Sequence, residues 1–131
     1  MLTIPQTIID AIIAHARRDF PLEACGMLGG VDAVVSEHYP MTNIDLSNEH
    51  FTMEPKEQFS VVKELRAKGK SLLVIYHSHP ETPARPSEED IRLALTPDVS
   101  HVIVSLSGTE PEVKSFRIAW GLVTPEPITV I

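Results

Sequence analysis

The chain has 131 residues, of which 43% are hydrophobic and 22% charged, a composition that excludes a disordered, collagen-like or coiled-coil chain and predicts one globular domain over residues 1–131. Eleven basic and eighteen acidic residues give a net charge of −7, which argues against a nucleic-acid binder and against attachment to an anionic membrane surface. No apolar run reaches the roughly 20 residues of a membrane span. The chain has a single cysteine, Cys25, which excludes an internal disulfide. The first ten residues lack the basic start of a signal peptide. We therefore expect a cytoplasmic protein.

The chain opens with a predicted helix followed by a β-hairpin. Pro5 suits the first turn of that helix, Pro21 ends it, and its apolar residues recur with helical spacing at Ile8, Ile9, Ile12, Ile13 and Ala16. Small apolar residues from Ala24 to Gly30 predict a strand that enters a turn at Gly29-Gly30. Residues 31–39 predict the returning strand of the hairpin.

A short strand and a second helix are predicted next. The strand covers His50 to Met53. Pro55 then opens the helix, Gly69 lies just past its end, and one apolar face is formed by Phe59, Val62 and Leu65.

The last third of the chain predicts most of a sheet. Residues 72–76 are a continuous apolar run, typical of a central strand that is buried on both faces. A short helix is predicted from Ser87, two strands over residues 101–106 and 113–119, and a final edge strand over residues 122–131, where prolines suit an edge. The order of elements predicts an α/β (α+β) fold in which helices pack against a sheet.

Two histidines at the end of the predicted central strand indicate a metal site. His77 and His79 are two residues apart, and because side chains alternate along a strand, both imidazoles are expected on one face. Asp90 lies eleven residues after His79, and the intervening loop is long enough to bring it back as a third ligand. Three protein ligands leave a fourth tetrahedral position for water, as in catalytic zinc sites. We therefore predict one Zn²⁺ per chain.

Two further side chains are candidates for catalysis. Zinc lowers the pKa of water to roughly 7, and Glu23, at the entry of the small-residue strand, is a candidate to take its proton. The Ser87 hydroxyl is a candidate donor to the oxyanion that forms when an amide is attacked. Each has an ordinary interpretation as well: Glu23 as a solvated carboxylate, and Ser87 as a helix N-cap in a Ser-x-x-Asp capping box with Asp90. Cys25 is interpreted as a small buried apolar residue.

Taken together, the pattern resembles the JAMM, or MPN-plus, metallopeptidases. The signature of that family is a glutamate followed by His-Ser/Thr-His-Pro-x6-Ser-x-x-Asp. Here Glu23 precedes His77-Ser78-His79-Pro80, and Ser87 and Asp90 follow at the family's spacing. The order of the first helix, the Glu-x-Cys-Gly strand, the second helix and the buried strand also matches the family.

The resemblance implies a JAMM/MPN fold, a mixed, curved sheet flanked by helices and cytidine-deaminase-like in topology. It implies that His77, His79 and Asp90 bind zinc, that Glu23 is the general base and that Ser87 stabilises the tetrahedral intermediate. Family members cleave peptide or isopeptide bonds after the C-terminal Gly-Gly of ubiquitin-like proteins. A chain this short resembles the prokaryotic branch, which releases an amino acid such as cysteine from a ubiquitin-like sulfur-carrier protein. We expect the tail of the carrier to bind by strand addition along His50, Phe51, Thr52 and Met53.

Three alternatives stay open at this stage. RadC-like proteins share a similar histidine string but usually carry an additional N-terminal helical region associated with DNA, whereas this chain is acidic. A non-catalytic scaffold that binds ubiquitin-like partners would share the fold, although such members typically lose metal ligands. Another zinc hydrolase, such as a small-molecule amidase, would use the same ligands. The sequence predicts no oligomeric state.

Overall fold

An eight-stranded mixed sheet forms the centre of the protein in the computed structural model, which describes residues 1–131. Its strands are β1 (Leu2–Ile4), β2 (Cys25–Val31), β3 (Val34–Met41), β4 (Ser71–His79), β5 (Ser100–Ser105), β6 (Glu112–Ala119), β7 (Leu122–Glu126) and β8 (Ile128–Val130). Their order across the sheet is β7-β6-β5-β4-β2-β3-β1-β8. The predicted central strand is confirmed as β4, which pairs with β2 antiparallel and with β5 in parallel.

The sheet is strongly curved. β7 and β8 lie at opposite ends of the strand order, although only Pro127 separates them in the chain, so the two edges must approach one another. The Leu2 N–H, in β1, donates to the Pro127 carbonyl at 3.2 Å where the edges meet. The predicted mixed, curved sheet is therefore confirmed. The single edge strand predicted over residues 122–131 is wrong, because Pro127, which has no N–H to donate to a ladder, divides it into two strands.

The hairpin of β2 and β3 is confirmed, but its turn lies three residues later than predicted. Asp32 and Ala33 occupy the turn with φ of 54° and 62°, the left-handed conformation that two-residue hairpin turns require. Gly29 and Gly30 are instead part of β2, where the pairing register with β3 shifts between them. A Cβ at Gly30 would collide with the Val34 carbonyl, so glycine permits a close backbone approach inside the strand.

Helix α1 (Gln6–Asp19) packs on one face of the sheet. Its residues Ile9, Ile12 and Ala16 are buried and join a core cluster with Leu28 and Val74 from the two central strands. The helical spacing of apolar residues predicted from the sequence is thus confirmed. None of the helices is long and apolar enough to cross a membrane.

Helix α2 (Pro55–Ala67) packs on the opposite face, and the short helix α3 (Glu88–Arg92) follows β4. α2 contacts the sheet through Val61 and Leu65, one helical turn apart, which join a cluster with Met27. The predicted apolar face was partly wrong: Leu65 is buried, but Phe59 is 72% exposed and Val62 is 40% exposed. Spacing alone did not distinguish the stripe that faces the sheet from the apolar stripe beside it.

A buried polar network links α1, β3 and β4 on the α1 face. The Tyr76 hydroxyl lies 2.6 Å from His15 Nδ1 and 2.8 Å from His38 Nε2, so it donates to one imidazole and accepts from the other. A Cβ at Gly26, opposite Tyr76 in β2, would collide with the phenol ring. The network therefore depends on the glycine that allows the tyrosine to lie flat against β2.

We expect the His38 imidazole to make folding sensitive to acid. Burial, reinforced by the positive charges of His15 and Arg18, lowers the pKa of His38 from 6.5 to about 4. Because the unfolded chain takes up this proton first, the stability that His38 contributes is present above pH 6.5 and is lost as the pH falls to about 4. The measurement is the free energy of unfolding by denaturant, from pH 7 to pH 4, for the wild type and His38→Gln.

The difference in the free energy of unfolding between the wild type and His38→Gln is expected to shrink as the pH falls from 6.5 to about 4. Taking the difference removes the contributions of the other histidines, which both proteins share. A difference that stays constant from pH 7 to pH 4 would show that His38 is not held neutral by the fold.

Candidate metal and active site

The end of β4 places two histidines on the α2 face of the sheet. Val74 and Tyr76 belong to the cluster beneath α1, whereas Ile75 packs with the cluster beneath α2. The alternation of β4 therefore directs His77 and His79 to the same side as Ile75. Both imidazoles are buried. The prediction that they share one face is confirmed.

Helix α3 brings the third predicted ligand to the two imidazoles. Asp90 Oδ2 lies 3.2 Å from His77 Nε2 and 3.1 Å from His79 Nε2, and the two Nε2 atoms are 3.1 Å apart. The three ligand-type atoms thus form a nearly equilateral triangle. They are a group of side chains that could hold a metal ion.

The donor set fits a zinc ion. Tetrahedral bonds of about 2.0–2.1 Å place the ligand atoms of zinc about 3.3 Å apart, close to the separations seen here. His79 Nδ1 lies 2.9 Å from the Pro83 carbonyl, so the ring donates its proton there and leaves the Nε2 lone pair directed at the triangle. Three such polar atoms at this distance need a proton or a metal ion between them. The donor set and its spacing therefore fit a metal ion.

The surroundings of the ligands hold them in place and set their charges. The Phe51 ring stacks on His77 with centroids 4.7 Å apart. Burial by itself raises the pKa of Asp90, but the contacts with His77 and His79 and with the Ser87 N–H outweigh it and hold the pKa of this carboxyl well below its ordinary value. Asp90 is therefore a candidate anionic ligand.

Glu23 lies on the same face, next to His79. Cys25 pairs with His77 in the antiparallel register of β2 and β4, and Ala24 exchanges hydrogen bonds with Ser78, so the same register brings Glu23 opposite His79. Its side chain is only 3% exposed and Oε1 has no hydrogen-bond partner. Burial, opposed by the charge of His79, raises the pKa of Glu23 from 4.5 to about 8. The interpretation of Glu23 as a solvated carboxylate is therefore wrong.

Ser87 caps helix α3 and at the same time lies beside the ligand triangle. Its N–H donates to Asp90 Oδ2 at 2.9 Å, and its Oγ accepts from the Asp90 N–H at 3.0 Å, which completes a capping box. The capping interpretation is thus confirmed, and it coexists with the metal geometry because the same Asp90 oxygen faces both histidines. The hydroxyl proton of Ser87 is not used by the cap.

The predicted strand from His50 to Met53 is wrong. These residues form a loop in which Met53 makes a single bridge to Asn43. Part of the backbone is already occupied: the His50 carbonyl and the Thr52 N–H are bound by the Asn43 side chain, and the Thr52 carbonyl accepts from Ile44. The backbone groups of Phe51 are not engaged in this way, so strand addition by a substrate along this loop stays a prediction.

Asn43 is a positioning residue that the sequence reasoning missed. It is 5% exposed, and its amide donates to the carbonyl of Glu23 as well as to that of His50, at 3.0 Å each. One side chain therefore ties the candidate base to the loop that carries Phe51. An isolated asparagine in a polar loop offers no sequence signal for this role, since its partners are distant in the chain.

A cleft of about 400 Å³ opens beside the ligand triangle. His77 and Asp90 line it, as do all four residues from His50 to Met53, so these are close to the candidate metal site although they form no strand. His101 also lines the cleft, and its Nε2 is buried without a partner.

Comparison with known proteins agrees with this geometry. The family described as prokaryotic homologs of the JAB domain matches residues 5–119. The CysO-cysteine peptidase of Mycobacterium tuberculosis is 40% identical over 134 residues, which cover 100% of this chain and 92% of that protein. The desampylase of Haloferax volcanii is 33% identical and the match covers 76% of each chain. A solution structure from Desulfitobacterium hafniense, 44% identical, superposes with a TM-score of 0.91 over 100% of this chain and 93% of that one.

The family match extends from the start of helix α1 to the end of β6 and includes Glu23 as well as the three converging ligand residues. It therefore covers the elements that build the site, and not only the histidine string. The chain belongs to the prokaryotic branch of the JAB, or JAMM/MPN, family.

Proposed function

We propose that residues 1–131 form a zinc-dependent metallopeptidase that hydrolyses the peptide or isopeptide bond after the C-terminal Gly-Gly of a ubiquitin-like sulfur-carrier protein. One observation carries the proposal: His77, His79 and Asp90 converge with separations of 3.1–3.2 Å. Buried Glu23 next to them adds a base. The names of the relatives, CysO-cysteine peptidase and desampylase, point to carriers of this class as substrates.

His77, His79 and Asp90 would hold the metal. When bound, zinc supplies a Lewis acid that polarises the scissile carbonyl and acidifies water. The Glu23 carboxyl, whose pKa is raised by burial, would ionise more readily beside a metal held by these residues. Phe51 and the Pro83 carbonyl keep the two imidazoles oriented for that role.

The remaining steps belong to the side chains. Glu23 takes a proton from the attacking water, which adds to the carbonyl carbon. The Ser87 hydroxyl donates a hydrogen bond to the oxygen that becomes negative, a contact that strengthens as the charge develops. Glu23 then passes its proton to the leaving amine as the C–N bond breaks, so the same carboxyl serves as base and acid.

The ligand set favours an enzyme over a scaffold, because a scaffold has no need to retain three converging ligands and a buried base. We place the reaction in the cytoplasm, where the buried free thiol of Cys25 is stable. His50, Phe51, Thr52 and Met53 are proposed to contact substrate as one wall of the cleft beside His77.

The test is incubation of the zinc-loaded protein with a ubiquitin-like sulfur-carrier protein extended by one amino acid after Gly-Gly, followed by mass spectrometry. We expect the carrier to lose the mass of that one residue. Cleavage should stop after treatment with EDTA and return when Zn²⁺ is added back.

The matched control is the same carrier with Gly-Gly replaced by Ala-Ala, which is expected to stay intact. An uncleaved Gly-Gly carrier with stoichiometric zinc in the protein would refute the proposed substrate class. Cleavage that is unaffected by EDTA would refute the metal's role.

A further inference from the structure

The cleft beside the metal ligands has mostly apolar walls. Phe51 and Met53 contribute from the loop before α2, Ile103 and Ile118 from the sheet, and Leu93 and Leu95 from the segment after α3. The volume of about 400 Å³ exceeds what an extended backbone alone would fill. The cleft is thus shaped for at least one side chain of a bound substrate.

The charges around the cleft are acidic. Glu89 is the only carboxylate that lines it besides Asp90, whose charge the proposed metal would neutralise, and neither lysine nor arginine lines it. His50 lies 3.0 Å from Asp45 Oδ2, so a positive charge on its ring would be paired. The cleft is therefore unfavourable for an acidic side chain.

The Gly-Gly tail of the proposed substrate has no side chains, so it does not account for this cleft. The residue on the other side of the scissile bond does have one, and the cleft begins at His77 and Asp90, where that bond must lie. We propose that the cleft binds the uncharged, apolar side chain of the residue that follows the scissile bond and rejects an acidic one. This inference rests on the proposed peptidase function.

A substrate series tests the inference directly. Carriers ending in Gly-Gly-X are prepared with X as alanine, leucine, methionine or aspartate, and kcat/KM is measured for each. All share the same terminal α-carboxylate, so the comparison isolates the side chain. Because one methylene in an apolar pocket is worth about 10–200-fold, leucine and methionine should exceed alanine by about 10-fold or more, and aspartate should be the slowest.

The two proposals fail in different ways. If no carrier in the series is cleaved, the proposed function is wrong. If all are cleaved with similar kcat/KM, or if aspartate is preferred, the function stands and the cleft assignment is overturned.

Charge variants on helix α3 provide the matched comparison. Glu89 lines the cleft, whereas its neighbour Glu88 is exposed and does not. In Glu89→Lys the ratio of kcat/KM for X as aspartate to that for X as leucine should rise by about 10-fold or more, whereas Glu88→Lys should keep the wild-type ratio. Because both kcat/KM values are measured on the same preparation, a change in its metal content affects them equally and cancels in the ratio. Equal ratios in the two variants would overturn the assignment.

A pair of leucine-to-glutamate substitutions tests the wall of the cleft that the segment after α3 forms. Leu95 lines the cleft and is 83% exposed, and Leu122 is 73% exposed outside it, so both substitutions are tolerated by the fold. Leu95→Glu should lower the ratio of kcat/KM for the leucine carrier to that for the alanine carrier by about 10-fold. Leu122→Glu should keep the wild-type ratio, and equal ratios in the two variants would count against the cleft.

Discussion

Glu23→Gln is expected to retain one zinc per chain and to lower kcat by about 10²–10⁴, the range for a lost general base. The substitution keeps the size of the side chain and removes only its ability to accept and return a proton. Glu23 is not one of the three converging ligand residues, so metal binding should persist. Metal analysis and steady-state kinetics on a Gly-Gly-X carrier measure the two quantities in the same preparation.

Folding should not account for the loss. The Glu23 side chain is buried, Oε1 has no partner, and burial raises its pKa to about 8, so at neutral pH the metal-free fold must hold a proton that the unfolded chain has already released, which costs stability. A neutral amide removes that cost, and the metal-free variant should unfold no more easily than the wild type at pH 8. Glu88→Gln, on the exposed surface of helix α3, is the control and should leave kcat unchanged. Near-wild-type turnover in Glu23→Gln would exclude Glu23 as the base.

The ligand set could be predicted from the sequence because two of its three members obey local rules. His77 and His79 share a face because side chains alternate along a strand, whatever the rest of the fold does. Asp90 is oriented by its capping box with Ser87, but its approach to the histidines depends on a loop whose path the sequence does not specify. That part of the prediction rested on the length of the loop and on the resemblance to the family signature.

The features that were missed depend on contacts between distant parts of the chain. β1 is three residues long, too short for a pattern of alternation, and it exists because β3 and β8 flank it. The segment from His50 to Met53 was predicted as a strand, yet it is a loop in which the Asn43 side chain binds the His50 carbonyl and the Thr52 N–H. The burial of Glu23 likewise follows from its register against β4, which only the pairing of strands reveals.

Asp90→Ala is expected to weaken zinc binding by more than about 100-fold. Loss of a group that only supports a metal ligand typically costs about 10–100-fold. Asp90 should cost more, because its Oδ2 atom lies 3.1–3.2 Å from both histidine nitrogens and is itself a proposed ligand. The substitution also removes half of the capping box, so the metal-free protein should lose about 1 kcal/mol of stability. The two effects are separated by measuring zinc affinity by calorimetry and the midpoint of thermal unfolding with and without Zn²⁺.

Ser87→Ala is the matched control, since it removes the other half of the capping box and leaves all three ligands in place. A ligand that binds only the folded state at 100 times its Kd stabilises it by about 2.7 kcal/mol, so zinc should raise the midpoint of the wild type and of Ser87→Ala. The same zinc concentration should shift Asp90→Ala little or not at all. If Asp90→Ala instead bound zinc like the wild type and lost only the stability that Ser87→Ala loses, Asp90 would be a helix cap and nothing more. The three-ligand site, and with it the assignment of water activation to this protein, would then have to be abandoned.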